Sequence, residues 1–132
     1  MQEKAVLCVD DEAIILLSMK QELKAHFQDR FLFETAPDAQ EALLALERMV
    51  GQGVKVLLVI TDWLMPGMKG DEFLLEVRRR YPDIQSIIVT GHADPDSVER
   101  TVREALTKAV LRKPWKREDL ISAVSACVDS SA

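Results

Sequence analysis

Residues 4–11 read Lys-Ala-Val-Leu-Cys-Val-Asp-Asp, an apolar run that ends in two adjacent carboxylates, Asp10 and Asp11. A short apolar run between charged residues is typical of a strand that is buried on both faces of a parallel sheet. At a separation of about 4 Å, two such charges repel each other by roughly 4 kcal/mol at an intermediate effective dielectric. A carboxylate pair held at a strand end therefore favours the binding of a cation.

Short apolar runs recur along the chain and alternate with segments of helical spacing. The predicted strands are 4–9, 31–35, 56–61, 85–90 and 109–112, and the predicted helices are 12–27, 37–51, 71–80, 95–106 and 117–128. This alternation predicts an α/β fold, a doubly wound (βα)5 unit whose five-stranded parallel sheet is flanked by helices on both faces. The first helix is expected to turn Ile14, Leu17 and Leu23 inward, and residues 129–132 are expected to fray.

Size and composition place the chain among globular domains. With 132 residues, 48% of them hydrophobic and 30% charged, we expect a single domain over residues 1–132. The net charge of −5 argues against a general nucleic-acid-binding surface. The apolar runs are much shorter than the ~20 residues that span a bilayer. Since the N-terminus is also unlike a signal peptide, we expect a cytosolic protein without membrane insertion. Cys8 and Cys127 lack metal-ligand spacing and are expected to be buried or half-buried free thiols.

Polar residues stand at the points where the predicted strands end. Asp10 and Asp11 follow the first strand, Asp62 follows the third, Thr90 ends the fourth, and Lys113 follows the fifth. In an open parallel sheet, ligands bind beyond the carboxyl ends of the strands, which meet at one edge. We therefore expect these five side chains to lie close together, although they are far apart in the sequence.

The charges of this cluster indicate its chemistry. Three carboxylates and one ammonium leave two negative charges, which one divalent cation balances. Oxygen ligands favour a hard ion, and Mg²⁺ is the abundant one. A cation, an ammonium and a hydroxyl around a carboxylate suit the transfer of a phosphoryl group to that carboxylate as nucleophile.

Four motifs lie at these strand ends. They are Val-Asp-Asp-Glu at 9–12, Thr-Asp-Trp-Leu-Met-Pro-Gly-Met-Lys-Gly at 61–70, Val-Thr-Gly-His at 89–92 and Leu-Arg-Lys-Pro-Trp at 111–115. In this order they resemble the motifs of the two-component response regulator receiver domain, of the CheY-like kind, over essentially the whole chain. The resemblance implies a flavodoxin-like fold. It also implies a phosphoacceptor of a signalling phosphorelay, which assists its own phosphorylation and dephosphorylation and is not an enzyme in the usual sense.

The resemblance implies a role for each residue of the site. Asp62 would be the phosphoacceptor, and Thr90 and Lys113 would contact the phosphoryl group. The implied Mg²⁺ ligands are Asp11, Asp62 and the backbone carbonyl of Leu64, with Asp10 acting through a bound water. The Lys113–Pro114 bond is commonly cis in this family, which an X-Pro bond permits at a cost of about 0.5–1 kcal/mol.

The resemblance also implies the kinds of partner. The phosphoryl donor would be a histidine kinase or a phosphotransfer protein that carries phosphohistidine. Phosphorylation would shift the face made by the fourth helix, the fifth strand and the fifth helix. That face would bind a downstream protein, an output domain or a second copy of the chain, and no direct contact with nucleic acid is implied.

The chain departs from the family pattern at the step that passes the signal on. Many receivers carry Tyr or Phe three positions before the lysine, where this chain has Val110. The switch would therefore rest on smaller movements of Thr90, of the loop at 91–95 and of the fourth helix. Residues 106–109 also lack the glycine that often precedes the fifth strand. Leu64 and His92 would tune the access of water to the phosphoryl group, and we expect slow self-dephosphorylation.

The two tryptophans and the loop after Asp62 have simpler expected roles. Trp63 is expected to be partly exposed and open to a partner, whereas Trp115 is expected to pack at the start of the last helix. Pro66, Gly67 and Gly70 are interpreted as turn residues.

Two other functions stay open. A metal-dependent phosphohydrolase or phosphotransferase would need a second acid two residues after the nucleophile, where this chain has Leu64. A pseudo-receiver would bind partners without being phosphorylated. The complete acid set, Thr90 and Lys113 argue against a pseudo-receiver, whereas Val110 leaves room for it.

Overall fold

A five-stranded parallel sheet forms the centre of the computed structural model, which describes residues 2–65, 67–91, 95–105 and 107–130. The strands are β1 (Lys4–Val9), β2 (Leu32–Ala36), β3 (Lys55–Thr61), β4 (Gln85–Thr90) and β5 (Ala109–Arg112). The helices are α1 (Ala13–Phe27), α2 (Ala39–Gly51), α3 (Gly70–Arg80), α4 (Pro95–Ala105) and α5 (Arg117–Ser130), and a 3-10 turn, Gln28–Arg30, follows α1. The strand order is β2-β1-β3-β4-β5, so the predicted (βα)5 fold is confirmed.

Helices cover both faces of the sheet because the side chains of each strand alternate between the faces. On β1, Ala5, Leu7 and Val9 belong to a first core cluster, which α2, α3 and α4 cover. Val6 and Cys8 belong to a second core cluster, which α1 and α5 cover. The other buried members of the first cluster are Ala36, Ala39, Ala42, Leu46, Met49, Val56, Val59, Trp63, Met65, Phe73, Leu74, Val77, Ile88 and Ala105. Those of the second are Leu16, Met19, Leu23, Phe27, Phe31, Phe33, Leu57, Leu58, Ile60, Ile87, Val89, Leu120, Val124, Cys127 and Val128.

The strand order places a crevice beside β1. Strand β1 pairs with β2 on one side and with β3 on the other. The strand order therefore reverses at β1, which leaves a crevice beyond the carboxyl end of this strand. The amide of Asp10 donates to the carbonyl of Ala36 at 3.2 Å, and the amide of Asp62 donates to the carbonyl of Val9 at 3.0 Å. These bonds continue the sheet by one residue and fix the two aspartates side by side.

The predicted inward face of α1 is wrong in part. Leu23 is buried, but Ile14 and Leu17 are 79% and 57% exposed. The buried residues of α1 are Leu16, Met19, Leu23 and Phe27. Both sets have helical spacing and both are apolar, so spacing alone does not decide between them. The stripe that includes the large ring of Phe27 faces the sheet.

Several predicted boundaries also shift. Helix α2 begins at Ala39, after Pro37, and Asp38 caps it by accepting a hydrogen bond from the amide of Glu41 at 2.8 Å. Strand β2 lies one residue later than predicted. Helix α5 continues to Ser130, and Asp129 forms an ion pair with Arg30 at 3.3 Å, so the expected fraying at 129–130 is wrong.

The turn before β5 is built without glycine, as the sequence requires. The amide of Thr107 donates to the carbonyl of Val102 at 3.1 Å, and the amide of Lys108 donates to the carbonyl of Ser86 at 2.9 Å. The buried hydroxyls of Ser86 and Thr107 also lie within hydrogen-bonding distance, at 3.1 Å. These contacts tie the turn to the first residues of β4.

The two cysteines lie where the sequence predicts, in the interior of the protein. Cys8 and Cys127 are both buried, and neither forms a disulfide within the described part of the chain, as expected. Burial raises the pKa of the Cys8 thiol to about 12 and outweighs the nearby charge of Lys20, which acts to lower it. Across the described residues, every helix is too short or too polar to cross a membrane.

Candidate functional site

Three carboxylates converge at the carboxyl edge of the sheet. Asp10, Asp11 and Asp62 each offer an oxygen, and these oxygens all lie within 4.8 Å of one another. Asp10 and Asp62 are buried, whereas Asp11 is exposed. The sheet topology brings together residues that lie at the ends of two different strands, as the sequence predicted.

Lys113 joins this cluster from the end of β5. Its ammonium lies 2.7 Å from Oδ2 of Asp10 and 3.1 Å from Oδ2 of Asp62, and its side chain is 16% exposed. Burial acts to lower the pKa of Lys113, but the hydrogen bonds and charges of the two aspartates outweigh burial, so this pKa lies above its ordinary value. The lysine therefore carries a full positive charge at neutral pH.

Backbone amides orient the two buried carboxylates. The amide of Glu12 donates to Oδ1 of Asp10 at 2.9 Å, and the amide of Trp63 donates to Oδ1 of Asp62 at 2.7 Å. In both aspartates one oxygen thus binds an amide while the other binds Lys113. Hydrogen bonds to ionised groups are short and strong, so they hold these side chains in fixed orientations.

Gly70 allows the loop after Asp62 to fold back against the site. Its amide donates to the carbonyl of Trp63 at 2.9 Å. A Cβ atom at position 70 would lie 2.8 Å from the carbonyl oxygen of Asp62 and 2.9 Å from Cα of Trp63. Gly67 fits the turn interpretation because its φ is +85°, but Gly70 is required by this close approach of two backbone segments. The turn interpretation of Gly70 is therefore incomplete, because it leaves out this close approach. Pro66, the third residue interpreted as a turn residue, lies outside the described residues.

The expected exposure of Trp63 is wrong. Its side chain is 5% exposed and belongs to the first core cluster. Trp115 packs against the second core cluster, close to the start of α5, as expected. A large ring that follows a strand can turn toward solvent or toward the core. The sequence does not reveal that the core has room for the ring of Trp63.

The remaining site residues line a cleft of about 470 Å³ beside the carboxylates. Its walls are formed by Asp11, Glu12, Ile15, Asp62, Leu64, Thr90, Gly91, Lys113 and Pro114. Thr90 is buried, and its carbonyl accepts a hydrogen bond from the amide of Lys113 at 3.0 Å. Leu64 is 49% exposed at the mouth of the cleft. The Lys113–Pro114 bond is cis, as expected.

The last two predicted site residues are Val110 and His92. Val110 is exposed on β5, three positions before Lys113, and does not line the cleft. His92 lies outside the described residues.

Sequence reasoning gave no role to Glu12 beyond the motif, although its amide binds Asp10, and it missed Ile15 as a cleft residue. Their positions at the start of a helix that follows the aspartate pair are the signal that could have identified them.

The donor set fits Mg²⁺. The atoms that converge are carboxylate oxygens, which are the ligands a hard divalent ion prefers. With Lys113 the cluster carries two net negative charges, which a divalent ion balances. The described residues that could hold the ion are Asp10, Asp11 and Asp62.

Comparison with protein families identifies the same pattern. The family model described as the response regulator receiver domain matches residues 6–125. The chain is 33% identical to the hydrogenase transcriptional regulatory protein HoxA of Cupriavidus necator, over 98% of this chain and 25% of that protein. It is 30% identical to the sensor kinase CckA of Brucella abortus, over 94% of this chain and 12% of that protein. The chain thus spans a quarter or less of the length of these two curated relatives.

Solved structures of similar shape cover nearly the whole chain. A CheY-like response regulator receiver domain protein from Methanospirillum hungatei has a TM-score of 0.84 and 27% identity, covering 99% of this chain and 97% of that one. The chemotaxis protein CheY4 of Vibrio cholerae has a TM-score of 0.80 and 26% identity, covering 96% of this chain and 99% of that one.

Proposed function

Because the chain belongs to the family of response regulator receiver domains, we propose that Asp62 accepts a phosphoryl group from a phosphohistidine. The donor would be a histidine kinase or a phosphotransfer protein. We further propose that residues 1–132 act as a single receiver domain. The chain would serve as a signalling phosphoacceptor that assists its own phosphorylation and dephosphorylation.

One observation carries this proposal. A half-buried lysine bridges two buried aspartates, with Nζ 2.7 Å from Asp10 and 3.1 Å from Asp62. A third carboxylate, Asp11, lies within 4.8 Å of both. A cation between acids is suited to receive a group that carries further negative charge, because the ammonium is already partly desolvated and oriented.

In the proposed transfer, Oδ2 of Asp62 attacks the phosphorus atom. A new O–P bond forms while the N–P bond of phosphohistidine breaks, and the imidazole leaves with the electron pair. The amide of Trp63 holds the other oxygen, Oδ1, so the carboxylate does not rotate during the attack. Oδ2 is the oxygen beside Lys113, so the phosphoryl group forms next to the ammonium. Thr90, buried in the wall of the cleft, would donate its hydroxyl to a phosphoryl oxygen.

Mg²⁺ would be held by Asp11, Asp62 and the backbone carbonyl of Leu64, with Asp10 acting through a water. When bound, the ion supplies positive charge that stabilises the transferring phosphoryl oxygens. Lys113 and the ion would together offset the negative charge of the three carboxylates.

Phosphorylation at Asp62 would change the contacts of Lys113 and Thr90, and the change would reach the face made by α4, β5 and α5. This face would bind a downstream protein, an output domain or a second copy. Val110 is exposed on this face and carries no ring, so the shift would rest on Thr90 and the start of α4.

Replacement of the phosphoacceptor tests the proposal. Asp62→Asn should abolish the incorporation of labelled phosphate from a phosphorylated histidine protein and from a small acyl phosphate. Asp83→Asn, at an exposed aspartate between α3 and β4, is the matched control and should be labelled like the wild type. Labelling of the Asp62→Asn variant would refute the assignment.

A pseudo-receiver is the second candidate, and Val110 is the observation that favours it. Such a module would bind its partner without phosphorylation, so Mg²⁺ and beryllofluoride, a phosphoryl mimic, would leave partner binding unchanged. The receiver proposal instead requires that the chain binds beryllofluoride in the presence of Mg²⁺ and that Asp62→Asn does not. Calorimetric titration of both proteins separates the two functions.

A further inference from the structure

The indole of Trp115, two residues after Lys113, is hydrogen-bonded to α1. Its Nε1 donates to Oε1 of Glu22 at 3.2 Å, a contact between residues 93 positions apart. Both partners are half-buried, and the ring packs against the second core cluster. Neither the proposed transfer nor the metal site makes use of this contact.

Helix α1 also reaches the other side of the same lysine. The amide of Glu12, just before α1, donates to Oδ1 of Asp10 at 2.9 Å, and Oδ2 of that aspartate binds Lys113. Glu12 and Glu22 are ten residues apart in the sequence, about 15 Å along a helix. The contacts therefore close a ring that runs from Lys113 through Asp10, Glu12, Glu22 and Trp115 back to Lys113.

The segment that follows Lys113 has few other tethers. The amide of Lys113 donates to the carbonyl of Thr90 at 3.0 Å, and the carbonyl of Lys116 accepts from the first turn of α5. Pro114 has no amide hydrogen to donate. Within the described part of the chain, the bond to Glu22 is the single polar contact made by Pro114 and Trp115. The position of this segment thus depends on where the indole is held.

We propose that Glu22 is a positioning residue for Lys113. Acting through Trp115, it holds segment 113–115 so that the ammonium stays between Asp10 and Asp62 and meets a phosphoryl group on Asp62. This inference rests on the proposed function. A simpler role would be that Glu22 only satisfies the indole donor, as buried or half-buried tryptophans usually require. That role predicts a loss of stability with no change at the phosphoryl site.

Three variants test the contact at both of its ends. Glu22→Ala removes the acceptor, Glu22→Gln keeps an acceptor of similar shape, and Trp115→Phe keeps the ring but removes the donor. Glu47→Ala, at an exposed glutamate of α2, is the matched control. The measurements are the affinity for beryllofluoride at saturating Mg²⁺, the affinity for Mg²⁺ alone, both by calorimetry, and the free energy of unfolding in urea.

The expected result is a loss confined to the phosphoryl mimic. Glu22→Ala and Trp115→Phe should each weaken beryllofluoride binding by about fivefold, which corresponds to one net hydrogen bond. Neither should weaken the binding of Mg²⁺ alone, because the carboxylates are untouched. Glu22→Gln and Glu47→Ala should bind like the wild type. The double variant Glu22→Ala/Trp115→Phe should bind no more weakly than the weaker single variant, because both changes remove the same contact.

Other results would overturn the inference. If Glu22→Ala binds beryllofluoride like the wild type and only its unfolding free energy falls, the contact is structural alone. The same holds if Glu22→Gln is as impaired as Glu22→Ala, since a retained acceptor should restore the position of the indole. A wild-type chain that does not bind beryllofluoride would overturn the proposed function, and this inference with it. Wild-type binding that Glu22→Ala leaves unchanged would overturn the inference alone.

Discussion

The ammonium of Lys113 lies 2.7 Å from Oδ2 of Asp10, inside the group of carboxylates that would hold a metal ion. The lysine and a divalent cation thus compete for the same negative charge. Since the lysine is covalently attached, it stabilises the three acids when no ion is bound. Its removal leaves three carboxylates with no counter-charge of their own.

Lys113→Ala should therefore bind Mg²⁺ more tightly than the wild type, by about tenfold, because a like charge has left the site. The same variant should bind beryllofluoride more weakly, since the mimic loses its ammonium partner. Calorimetry with each ligand gives both values. Lys55→Ala, at the opposite end of the sheet, is the control and should change neither. Unchanged Mg²⁺ affinity in Lys113→Ala would show that the lysine does not compete for the acids.

Gly70→Ala should lower both stability and the rate of phosphorylation. The added Cβ would lie 2.8 Å from the carbonyl oxygen of Asp62, so the backbone at the phosphoacceptor must move. We expect a loss of about 1–3 kcal/mol in the free energy of unfolding, as is usual for overpacking. Gly51→Ala is a matched control, because no atom lies within 4 Å of its added Cβ and the residue is helical. That variant should be neutral or slightly more stable. Equal behaviour of the two alanine variants would contradict this account of Gly70.

Leu64→Asn should speed the loss of phosphate from Asp62. The side chain of Leu64 is half-exposed at the mouth of the cleft and cannot hydrogen-bond a water molecule that approaches the phosphoryl group. A polar side chain there could position the attacking water, and we expect about a tenfold faster reaction, well below what a fully aligned group supplies. The wild-type phosphate should persist for minutes or longer. Leu44→Asn, at an exposed leucine of α2, controls for the loss of apolar surface. A wild-type half-life of seconds would contradict the expectation of slow self-dephosphorylation.

Stability should fall at alkaline pH because of Cys8. Its pKa rises from 9.0 to about 12 on folding, so the folded chain keeps a proton that the unfolded chain releases. The stabilisation is present below pH 9 and is lost as the pH rises toward 12. At pH 10 the loss should be about 1.4 kcal/mol relative to pH 8, since one pKa unit corresponds to 1.36 kcal/mol. Urea unfolding of the reduced wild type and of Cys8→Ala at both pH values measures the difference.

Cys8→Ala should lack this part of the pH dependence, although its absolute stability is lower. The other groups that titrate in this range, including Lys113 and Cys127, are common to both proteins and cancel in the comparison. Parallel pH profiles would show that the Cys8 thiol does not titrate differently in the folded chain.

Much of the fold followed from local signals. The first, fourth and fifth strands begin and end at the predicted residues, because each is a short apolar run between polar residues. The convergence of Asp10, Asp62 and Lys113 followed from topology alone, since parallel strands share one carboxyl edge. What each of these residues does in phosphoryl transfer remains a prediction.

Other features depend on contacts between distant segments, which periodicity does not reveal. The inward stripe of α1 was misjudged because Ile14 and Leu17 are as apolar as the residues that face the sheet. The requirement for Gly70 depends on the backbone of Asp62, eight positions away. The bond from Trp115 to Glu22 joins two elements that come together only in the folded domain.

The two tryptophans have a practical consequence. Trp63 is bonded through its amide to Asp62 and is buried in the first core cluster, whereas Trp115 follows Lys113 and packs against the second. The chain therefore carries two tryptophan fluorophores, one at each end of the ion pair and on opposite faces of the sheet. Trp63→Phe and Trp115→Phe would each leave a single tryptophan, whose emission can be excited apart from that of Tyr81. Changes on either side of the sheet could then be followed separately, in real time and without a label.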